Sequence, residues 1–552
     1  MSEHNVNLLW KDFKGIRKLH SINSDKVLGA DIAHNVRLSK EKSGEARSIR
    51  SSGWFSEWTE TTENVIRLFS ANCSGYSAPD QLIAFTKSNS AINVWLIYDS
   101  TGNTTKTQIA TFPNATDVTD VCMTQWGDRL GMVVAFGLEF FGFVFYSADA
   151  NIPNATQMGT SGWYYISVTP SQQVSPLPLS RISRVCPYGS RLAINGEAEY
   201  STGSGRESIF GVWFGEAGNL TNFTANAITS ASETSSFYVE TGEYVNQLEE
   251  YHGLTAFCRN RSYNITGTSQ NDIKVLPLTA KGVFGNATFT MNGKCGYVDA
   301  WSKNIFTLRD NIDGTIGFDD PVGDDIQDYI EQDISDVTVN IAGRRVRITQ
   351  PSGVSLVFDV DIGEWTEETF MEHARVETFL NKEYICDKTK TIYIVNENWG
   401  TNTLQTPDAN GYYSHYRTNL IWLDSQSSVK SHLYPFAIIL EPNTSNNFRI
   451  KFTTDRGETF DLSVTKAGFE NAATYSNDDT PNNGSFFVTD DNDISGKVFF
   501  SQSDTELLVT VDRPPFWRYL QIDIYTTSHN QQFNISGIEA KNTMITDEML
   551  EY

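Results

Sequence analysis

Residues 335–370 decide the fold, and they read SDVTVNIAGRRVRITQPSGVSLVFDVDIGEWTEETF. Apolar and polar residues alternate in four short runs, separated by Ala342-Gly343, by Pro351-Ser352-Gly353 and by Asp361-Ile362-Gly363-Glu364. An alternation of period two places the apolar side chains on one face of a strand. Three tight turns between four such runs therefore predict an antiparallel sheet of four strands.

A sheet of this size with one apolar face is not stable alone and has to stack on another sheet. Between Trp54 and Gly400 seven strands close segments of a similar plan, at residues 94–98, 143–146, 209–214, 262–265, 305–308, within 335–370, and 391–395. Four-stranded units repeated around an axis are the blades of a β-propeller. The spacing of these strands predicts six to eight blades.

Composition supports the same class. The chain has 552 residues, 12% of them aromatic, and 39 glycines, which favours strands and turns over helices. From Tyr416 onward the strands become longer, which predicts a β-sandwich. The full prediction is an all-β chain with an extended N-terminal arm at 1–53, a β-propeller at 54–415 and a C-terminal β-sandwich at 416–552. For the arm, a loosely ordered terminus is the alternative.

Four local features are predicted within this plan. A first strand covers 31–38, and a short helix covers 323–332, where Ile326, Tyr329 and Ile330 share one helical face. In the sandwich, the strand at 519–525 is expected to pair with 533–539. The tail at 541–552 is either a peg for a partner or a frayed end.

The charge of the chain is large and uneven. The formal net charge is −25, yet residues 1–50 carry ten Lys or Arg against six Asp or Glu. An acidic body repels nucleic-acid phosphates rather than holding them. We therefore expect any DNA beside this protein to pass it, and only the N-terminal arm has the sign to bind it tightly.

The cysteines and apolar runs exclude several other classes. The six cysteines form no CxxC pair, and four of them lie in apolar runs, which predicts free, buried thiols. The polar start of the chain does not resemble a secretory signal. No run of 18 apolar residues is present, so no membrane-spanning segment is expected.

Three motifs have a local interpretation. Residues 453–460 fit the Asp-box pattern, a hairpin device in which Asp455 accepts backbone bonds, Gly457 takes positive φ and Phe460 anchors the next strand. Residues 310–314 resemble a calcium loop but lack its later ligands. The acidic group at 319–328 could bind a cation, but we interpret it as a solvated face.

We also expect Arg345 and Arg347 on the polar face of a blade strand, where they are solvated or, as the alternative, contact another subunit. Eight histidines show no HxH or HExxH grouping, and there is no GxSxG, P-loop or dinucleotide fingerprint. The prediction is therefore a protein that is not an enzyme, with no catalytic, cofactor-binding or metal-binding residues.

The order of arm, propeller and sandwich resembles the tail hub, nozzle or packaged-DNA stabilisation proteins of short-tailed bacteriophages, including crAss-like phages. The resemblance is most definite at 252–263, at 356–365 and at 516–523. It implies a structural virion protein that assembles in the bacterial cytoplasm as a ring in the phage tail, commonly of six copies. Such a ring contacts portal, adaptor and other tail proteins, extends the portal channel, retains packaged double-stranded DNA and passes it during ejection.

The alternative is a propeller that binds or degrades carbohydrate, either an adhesin or a glycosidase. Tryptophan rings stack on sugars, and the candidates for this role are Trp54, Trp58, Trp213 and Trp399, although core packing explains them as well.

Overall fold

The structure is a computed structural model that describes residues 3–10, 12–16, 27–39, 47–51, 54–72, 80–100, 103–113, 121–126, 130–136, 141–146, 156–157, 163–168, 179–180, 182–202, 205–218, 235–291, 293–310, 316, 320–330, 337–368, 375–380, 382–386, 390–396, 413–422, 429–432, 436–440, 446–455, 457, 459–466, 496–500, 506–511, 516–517, 519–527 and 531–547. Strands make up most of these residues. The predicted all-β class is confirmed.

The strands up to the middle of the chain are β1 (Glu3–Trp10), β2 (Asp12–Ile16), β3 (Val27–His34), β4 (Val36–Ser39), β5 (Ser48–Ser51), β6 (Trp54–Glu60), β7 (Asn64–Asn72), β8 (Asp80–Lys87), β9 (Ala91–Ser100), β10 (Asn103–Pro113), β11 (Val121–Trp126), β12 (Leu130–Phe136), β13 (Phe141–Tyr146), β14 (Thr156–Gln157), β15 (Trp163–Val168), β16 (Leu179–Ser180), β17 (Val185–Tyr188), β18 (Arg191–Thr202), β19 (Gly205–Phe214), β20 (Phe237–Glu240), β21 (Gln247–Glu250), β22 (Leu254–Phe257), β23 (Ser262–Thr266) and β24 (Lys274–Thr279).

The later strands are β25 (Thr288–Met291), β26 (Lys294–Val298), β27 (Ile305–Thr307), β28 (Asp320–Pro321), β29 (Thr338–Ala342), β30 (Arg345–Thr349), β31 (Ser355–Asp359), β32 (Glu364–Glu368), β33 (Arg375–Phe379), β34 (Lys382–Cys386), β35 (Thr391–Asn396), β36 (His415–Thr418), β37 (Ile421–Trp422), β38 (Val429–His432), β39 (Phe436–Leu440), β40 (Asn446–Thr454), β41 (Thr459–Lys466), β42 (Gly496–Phe500), β43 (Glu506–Val511), β44 (Phe516–Trp517), β45 (Tyr519–Tyr525) and β46 (Asn534–Asp547).

The helix predicted at 323–332 is confirmed as the 3₁₀ helix Asp324–Tyr329. Two acidic residues occupy its first turn, where the positive end of the helix dipole stabilises their negative charge. Ile326 is buried. The four strands predicted in 335–370 are also present, as β29 to β32.

The chain divides into two compact units. The propeller unit comprises Glu57–Gly353 and Met371–Ile394, and the terminal unit comprises Met1–Ser56, Val354–Phe370 and Val395–Tyr552. This division differs from the predicted boundaries at 53 and 415. The four strands predicted in 335–370 follow one another in one sheet in the order β29–β30–β31–β32, as predicted, and the division into units falls between β30 and β31.

The propeller unit has seven sheet positions around a closed ring. Its inner strands are β7, β11, β17, β21, β25, β29 and β33; each contacts the next, and β33 contacts β7. Behind them lie the sheets β7–β10, β11–β15, β16–β20, β21–β24 and β25–β28, the hairpin of β29 with β30, and the sheet β33–β34–β35–β6. Seven positions fall within the six to eight blades predicted.

The ring closes with a strand from its own beginning. β6 lies beside β35, so that the first strand of the propeller completes the last sheet. Next to it, the Thr61 amide donates to the Lys390 carbonyl (2.8 Å), and the rings of Trp58 and Tyr384 lie 4.7 Å apart. Behind this junction is an apolar core shared by the first and last sheets, comprising Val65, Leu68, Leu82, Ala84, Ile97, Phe379, Tyr384, Cys386 and Ile392.

The prediction of a solvated face for Arg345 and Arg347 is wrong. Both side chains are buried, and Glu383 of β34 lies against them: the Arg345 Nη1 to Glu383 Oε1 distance is 3.0 Å, and the Arg347 Nη2 to Glu383 Oε2 distance is 3.8 Å. In a propeller the neighbouring sheets cover both faces of a blade, so polar residues on the second face need partners rather than water.

Replacing Glu383 with Gln should therefore destabilise the propeller unit. It leaves two buried guanidinium groups without their carboxylate, and breaking such a pair costs about 3 kcal/mol or more. Chemical denaturation of Glu383→Gln beside the exposed control Glu250→Gln measures the effect. Equal stability of the two variants would show that the carboxylate is not needed.

The terminal unit contains two large sheets. One has the order β4–β5–β46–β39–β43–β42, and β1 also pairs with β46. The other runs through β32, β3, β36, β45, β40 and β41. Both contribute buried side chains, such as Ile438 and Ile538 in the first sheet and Ile450 and Ile522 in the second. This arrangement is the C-terminal sandwich of the prediction, enlarged by strands from the start of the chain.

The strand predicted at 31–38 is broken at Asn35, which has a φ of 51°. Asn35 is buried; its amide donates to the Glu367 carbonyl (2.7 Å) and its Nδ2 donates to the Tyr413 carbonyl (3.1 Å). Asparagine tolerates this left-handed backbone better than most residues. The chain therefore leaves one sheet in β3 and enters the other in β4.

The N-terminal residues are extended, as predicted, and they pack on the chain's own C-terminal part. β1 runs antiparallel to β46 from the pair Glu3 and Thr546 to the pair Trp10 and Ile538. The tail thus forms a strand as far as Asp547. The predicted pairing of 519–525 with 533–539 is wrong: β45 pairs with β36, β37 and β40, whereas β46 lies in the other sheet.

Two further predictions are confirmed in part. The Asp-box residues join β40 to β41 in the predicted hairpin, in which Gly457 has a φ of 75°. Cysteines 122, 186, 258, 295 and 386 are free thiols. Cys186, Cys258 and Cys386 are buried as predicted, and so is Cys295, whereas the burial predicted for Cys122 is wrong because that residue is only half-buried. Burial raises the pKa of Cys186, Cys258 and Cys295. Cys73 lies outside the described residues.

Candidate functional site

The second sheet of the terminal unit presents a polar face that we call the charged face. Along β36, β45 and β40 the side chains alternate between buried and half-buried. The buried set includes Tyr416, Ile524 and Ile450, so the other set points away from the core. The charged face consists of Glu367, His34, His415, Arg417, Asp523, Tyr525, Arg449 and Asp461.

Cross-strand register builds this face. His34 of β3 lies opposite His415 of β36, and His415 lies opposite Tyr525 of β45. Directly opposed residues in antiparallel strands have neighbouring side chains. The sequence shows no histidine grouping because the two imidazoles come from strands about 380 positions apart, which only the sheet brings together.

Hydrogen bonds and ion pairs fix the side chains of the charged face. His34 Nδ1 lies 2.8 Å from Glu367 Oε1, and Asp523 Oδ1 lies 2.7 Å from His415 Nε2 and 2.6 Å from Arg417 Nε. Burial raises the pKa of Asp523, but hydrogen bonds from His415 and Arg417 outweigh burial and hold it below its ordinary value. Asp523 is therefore a carboxylate at neutral pH.

A second cluster continues the charged face. Arg449 Nε donates to Asp461 Oδ1 (3.0 Å), and the Tyr525 hydroxyl donates to Asp461 Oδ2 (2.6 Å). Burial and this hydrogen bond raise the pKa of Tyr525 to about 12, so its hydroxyl remains a donor. Arg417, Arg449 and Asp461 are each about one-third exposed. Chemically, the face offers fixed charges of both signs.

Near the ring axis of the propeller unit, two inner strands carry carboxyl groups. Glu249 of β21 accepts hydrogen bonds from the Thr288 and Thr290 hydroxyls of β25 (2.6 and 2.9 Å), while burial raises its pKa. Burial also raises the pKa of Glu377 on β33 to about 7, against the lowering effect of Arg67. Glu377 also accepts the Ser70 amide of β7 and so lies where the ring closes.

The pKa of Glu377 is higher in the folded protein than in the unfolded chain. As the pH rises from about 4 towards 7, the unfolded chain releases the proton first, so the free energy of unfolding falls over this range. Glu377→Gln should therefore lose less stability between pH 5 and pH 8 than the parent, by about 2 kcal/mol. Denaturation at both pH values tests this, with Glu250→Gln as control. The same loss in parent and Glu377→Gln would contradict it.

Of the four candidate tryptophans for sugar stacking, neither of the two whose side chains the structure describes is exposed. Trp213 is fully buried, and Trp58 packs on Tyr384. The side chains of Trp54 and Trp399 lie outside the described residues. Trp301, which the sequence analysis did not single out, is 59% exposed. The signal available was its position in the polar turn Asp299–Asn304, where a core residue is not expected.

The described carboxylates of the candidate cation sites accept hydrogen bonds from other side chains. Asp310 accepts hydrogen bonds from Tyr251 and His252, and the rest of the calcium-like loop, 311–314, lies outside the described residues. Asp324 accepts a hydrogen bond from Asn304 (2.7 Å), whereas Asp319 is not described. In the part of the chain that the structure describes, no three His, Cys, Asp or Glu side chains converge as metal ligands.

No protein-family model and no curated protein matches the chain. Several solved structures are similar to it in fold, among them the AfRom2 CNH domain (TM-score 0.34, 9% identity, covering 63% of this chain and 99% of that one). BamB from Moraxella catarrhalis has a TM-score of 0.32 and 9% identity, and the match covers 73% of this chain and 100% of that one. An exo-β-1,3-galactanase from Phanerochaete chrysosporium has a TM-score of 0.21 and 9% identity, and the match covers 77% of this chain and 95% of that one. These likenesses indicate no function. Among described helices, none has the length and hydropathy to span a membrane.

Proposed function

We propose that the chain is a structural subunit of a ring in the tail of a short-tailed bacteriophage, and not an enzyme. In this role it extends the portal channel, retains packaged DNA and lets it pass during ejection. The observation that carries the proposal is the charged face, an ordered sheet surface with both signs of charge held in place by neighbouring strands.

Such a face suits contact between copies of one chain in a ring. A head-to-tail ring contact joins two different surfaces of identical subunits, and fixed charges of both signs give it register and orientation. The groups of the charged face are already hydrogen-bonded within the subunit, so little side-chain entropy is lost when a neighbour covers them. The neighbours of the ring would be portal, adaptor and other tail proteins.

Strand pairing supports a role in which the subunit resists mechanical force. The first strand of the propeller closes the last sheet, and β1 pairs with β46 from Glu3 to Trp10, so the first and last described strands are held in sheets. Separating them requires many backbone hydrogen bonds to break together. A subunit that holds back packaged DNA needs this resistance.

Net charge supports the transit of DNA. At −25, the chain repels phosphates, and repulsion prevents the passing duplex from binding during ejection. Double-stranded DNA should therefore show no retention by the assembled protein at about 0.15 M salt, where electrostatic contacts act within about 8 Å.

The proposal is tested by the mass of the purified protein, measured by mass photometry and electron microscopy. We expect closed rings for the parent chain. Thr453→Arg and Ser463→Arg, which add bulk to the charged face without removing an ion pair, should shift the mass to the monomer. Thr107→Arg, on the edge strand β10 of the propeller unit, is the matched control and should leave rings intact.

Two outcomes would contradict the proposal. A parent chain that stays monomeric at high concentration is not a ring subunit. Rings that persist in Thr453→Arg and Ser463→Arg, but break in Thr107→Arg, would place the contact on the propeller unit instead.

A further inference from the structure

Three connections of the propeller unit meet at one end of neighbouring sheets. They are the turn between β22 and β23, the crossover from β24 to β25 and the turn between β26 and β27. In an up-and-down sheet, the second turn and the exit of the fourth strand lie at the same end. The Ala300 amide donates to the Gly282 carbonyl (2.7 Å) and the Val283 amide to the Cys258 carbonyl (2.8 Å), which ties the three connections together.

Trp301 is held in a defined orientation on this surface. Its Nε1 donates to Asn260 Oδ1 (3.1 Å), while Asn260 Nδ2 donates to Glu243 Oε2 (3.0 Å). The carboxylate can only accept, so it fixes which end of the Asn260 amide faces the indole. Asp299 braces the same turn by accepting the Ser302 amide (2.7 Å).

Arg259 lies against two neighbouring aromatic rings. Its Cζ is 4.7 Å from the centre of the Phe284 ring and 5.2 Å from that of Trp301. Stacking of this kind holds a guanidinium plane in place while its N–H edge stays open. Arg261, 57% exposed, stands two residues further on, with its Nε 3.4 Å from Glu243 Oε1.

We propose that Trp301, Arg259, Asn260 and Arg261 form a platform that binds an acidic saccharide. Of the tryptophans whose side chains the structure describes, Trp301 alone is exposed, and its orientation is fixed before any ligand arrives. An exposed, rigid indole matches the apolar C–H face of a pyranose ring. The two guanidinium groups supply donors for a carboxylate on that ring, in a chain whose net charge is otherwise strongly negative.

The platform is independent of the ring proposal, since it lies in the propeller unit and the charged face lies in the terminal unit. Binding is measured by isothermal titration calorimetry with tetragalacturonate as the acidic probe and the matching galactose tetramer as the neutral probe. We expect the acidic probe to bind, and Trp301→Ala to weaken it at least tenfold. Arg259→Gln should weaken the acidic probe about tenfold and leave the neutral probe unchanged.

Leu276→Ser is the matched control, because Leu276 is 53% exposed on β24 but outside the platform. It should bind the acidic probe like the parent. Ring mass and melting temperature, recorded for every variant, separate loss of the platform from loss of assembly or fold. No binding of the acidic probe at millimolar concentration, equal binding by Trp301→Ala and parent, or equal losses of both probes in Arg259→Gln would overturn the proposal.

Discussion

The pairing of β6 with β35 is the constraint on which the rest of the structure depends. Each sheet of the propeller unit has apolar residues on its faces, and only a closed ring covers both faces of every sheet. The first and last sheets share one apolar core across the closure, from Val65 and Leu82 to Tyr384 and Ile392. Without the seventh sheet, that core would face water. Closure therefore makes seven marginal sheets into one stable unit.

Burial between sheets also explains why some charges are internal and others exposed. Arg345 and Arg347 face a neighbouring sheet and need Glu383, whereas Arg417 and Arg449 lie on the outer side of a sheet and are paired but partly solvated. Strands with a similar alternation of apolar and polar residues thus hold buried ion pairs in one place and partly exposed ion pairs in the other. The outer set can meet a partner, and the inner set stabilises the fold.

Much of the fold followed from residue patterns. Three local signals predicted elements that the structure contains. They are the period of two in 335–370, the Gly457 turn and the apolar residues of the short helix. The pairing of β1 with β46 and the junction of β3, β36 and β45 could not be predicted in this way. They join residues hundreds of positions apart, and strand alternation says which face a residue occupies but not which strand lies beside it.

The candidate sites show the same limit. His34 and His415 look isolated in sequence, and their proximity depends on sheet register. Tryptophan is found both in cores and on surfaces, so its residue type alone does not show that Trp301 is exposed. Its exposure depends on the three turns that meet beside it. By contrast, the excess of acidic residues is a property of composition, so the net charge of −25 was available from the sequence alone.

Native-state hydrogen exchange tests ring closure most directly. If β6 completes the seventh sheet, those amides of 57–60 that donate to β35 should exchange as slowly as the amides of 391–394, because both lose protection only when the ring opens. Fast exchange of every amide at 57–60 beside slow exchange at 391–394 would contradict the account, since the propeller unit would then be stable without its closing strand.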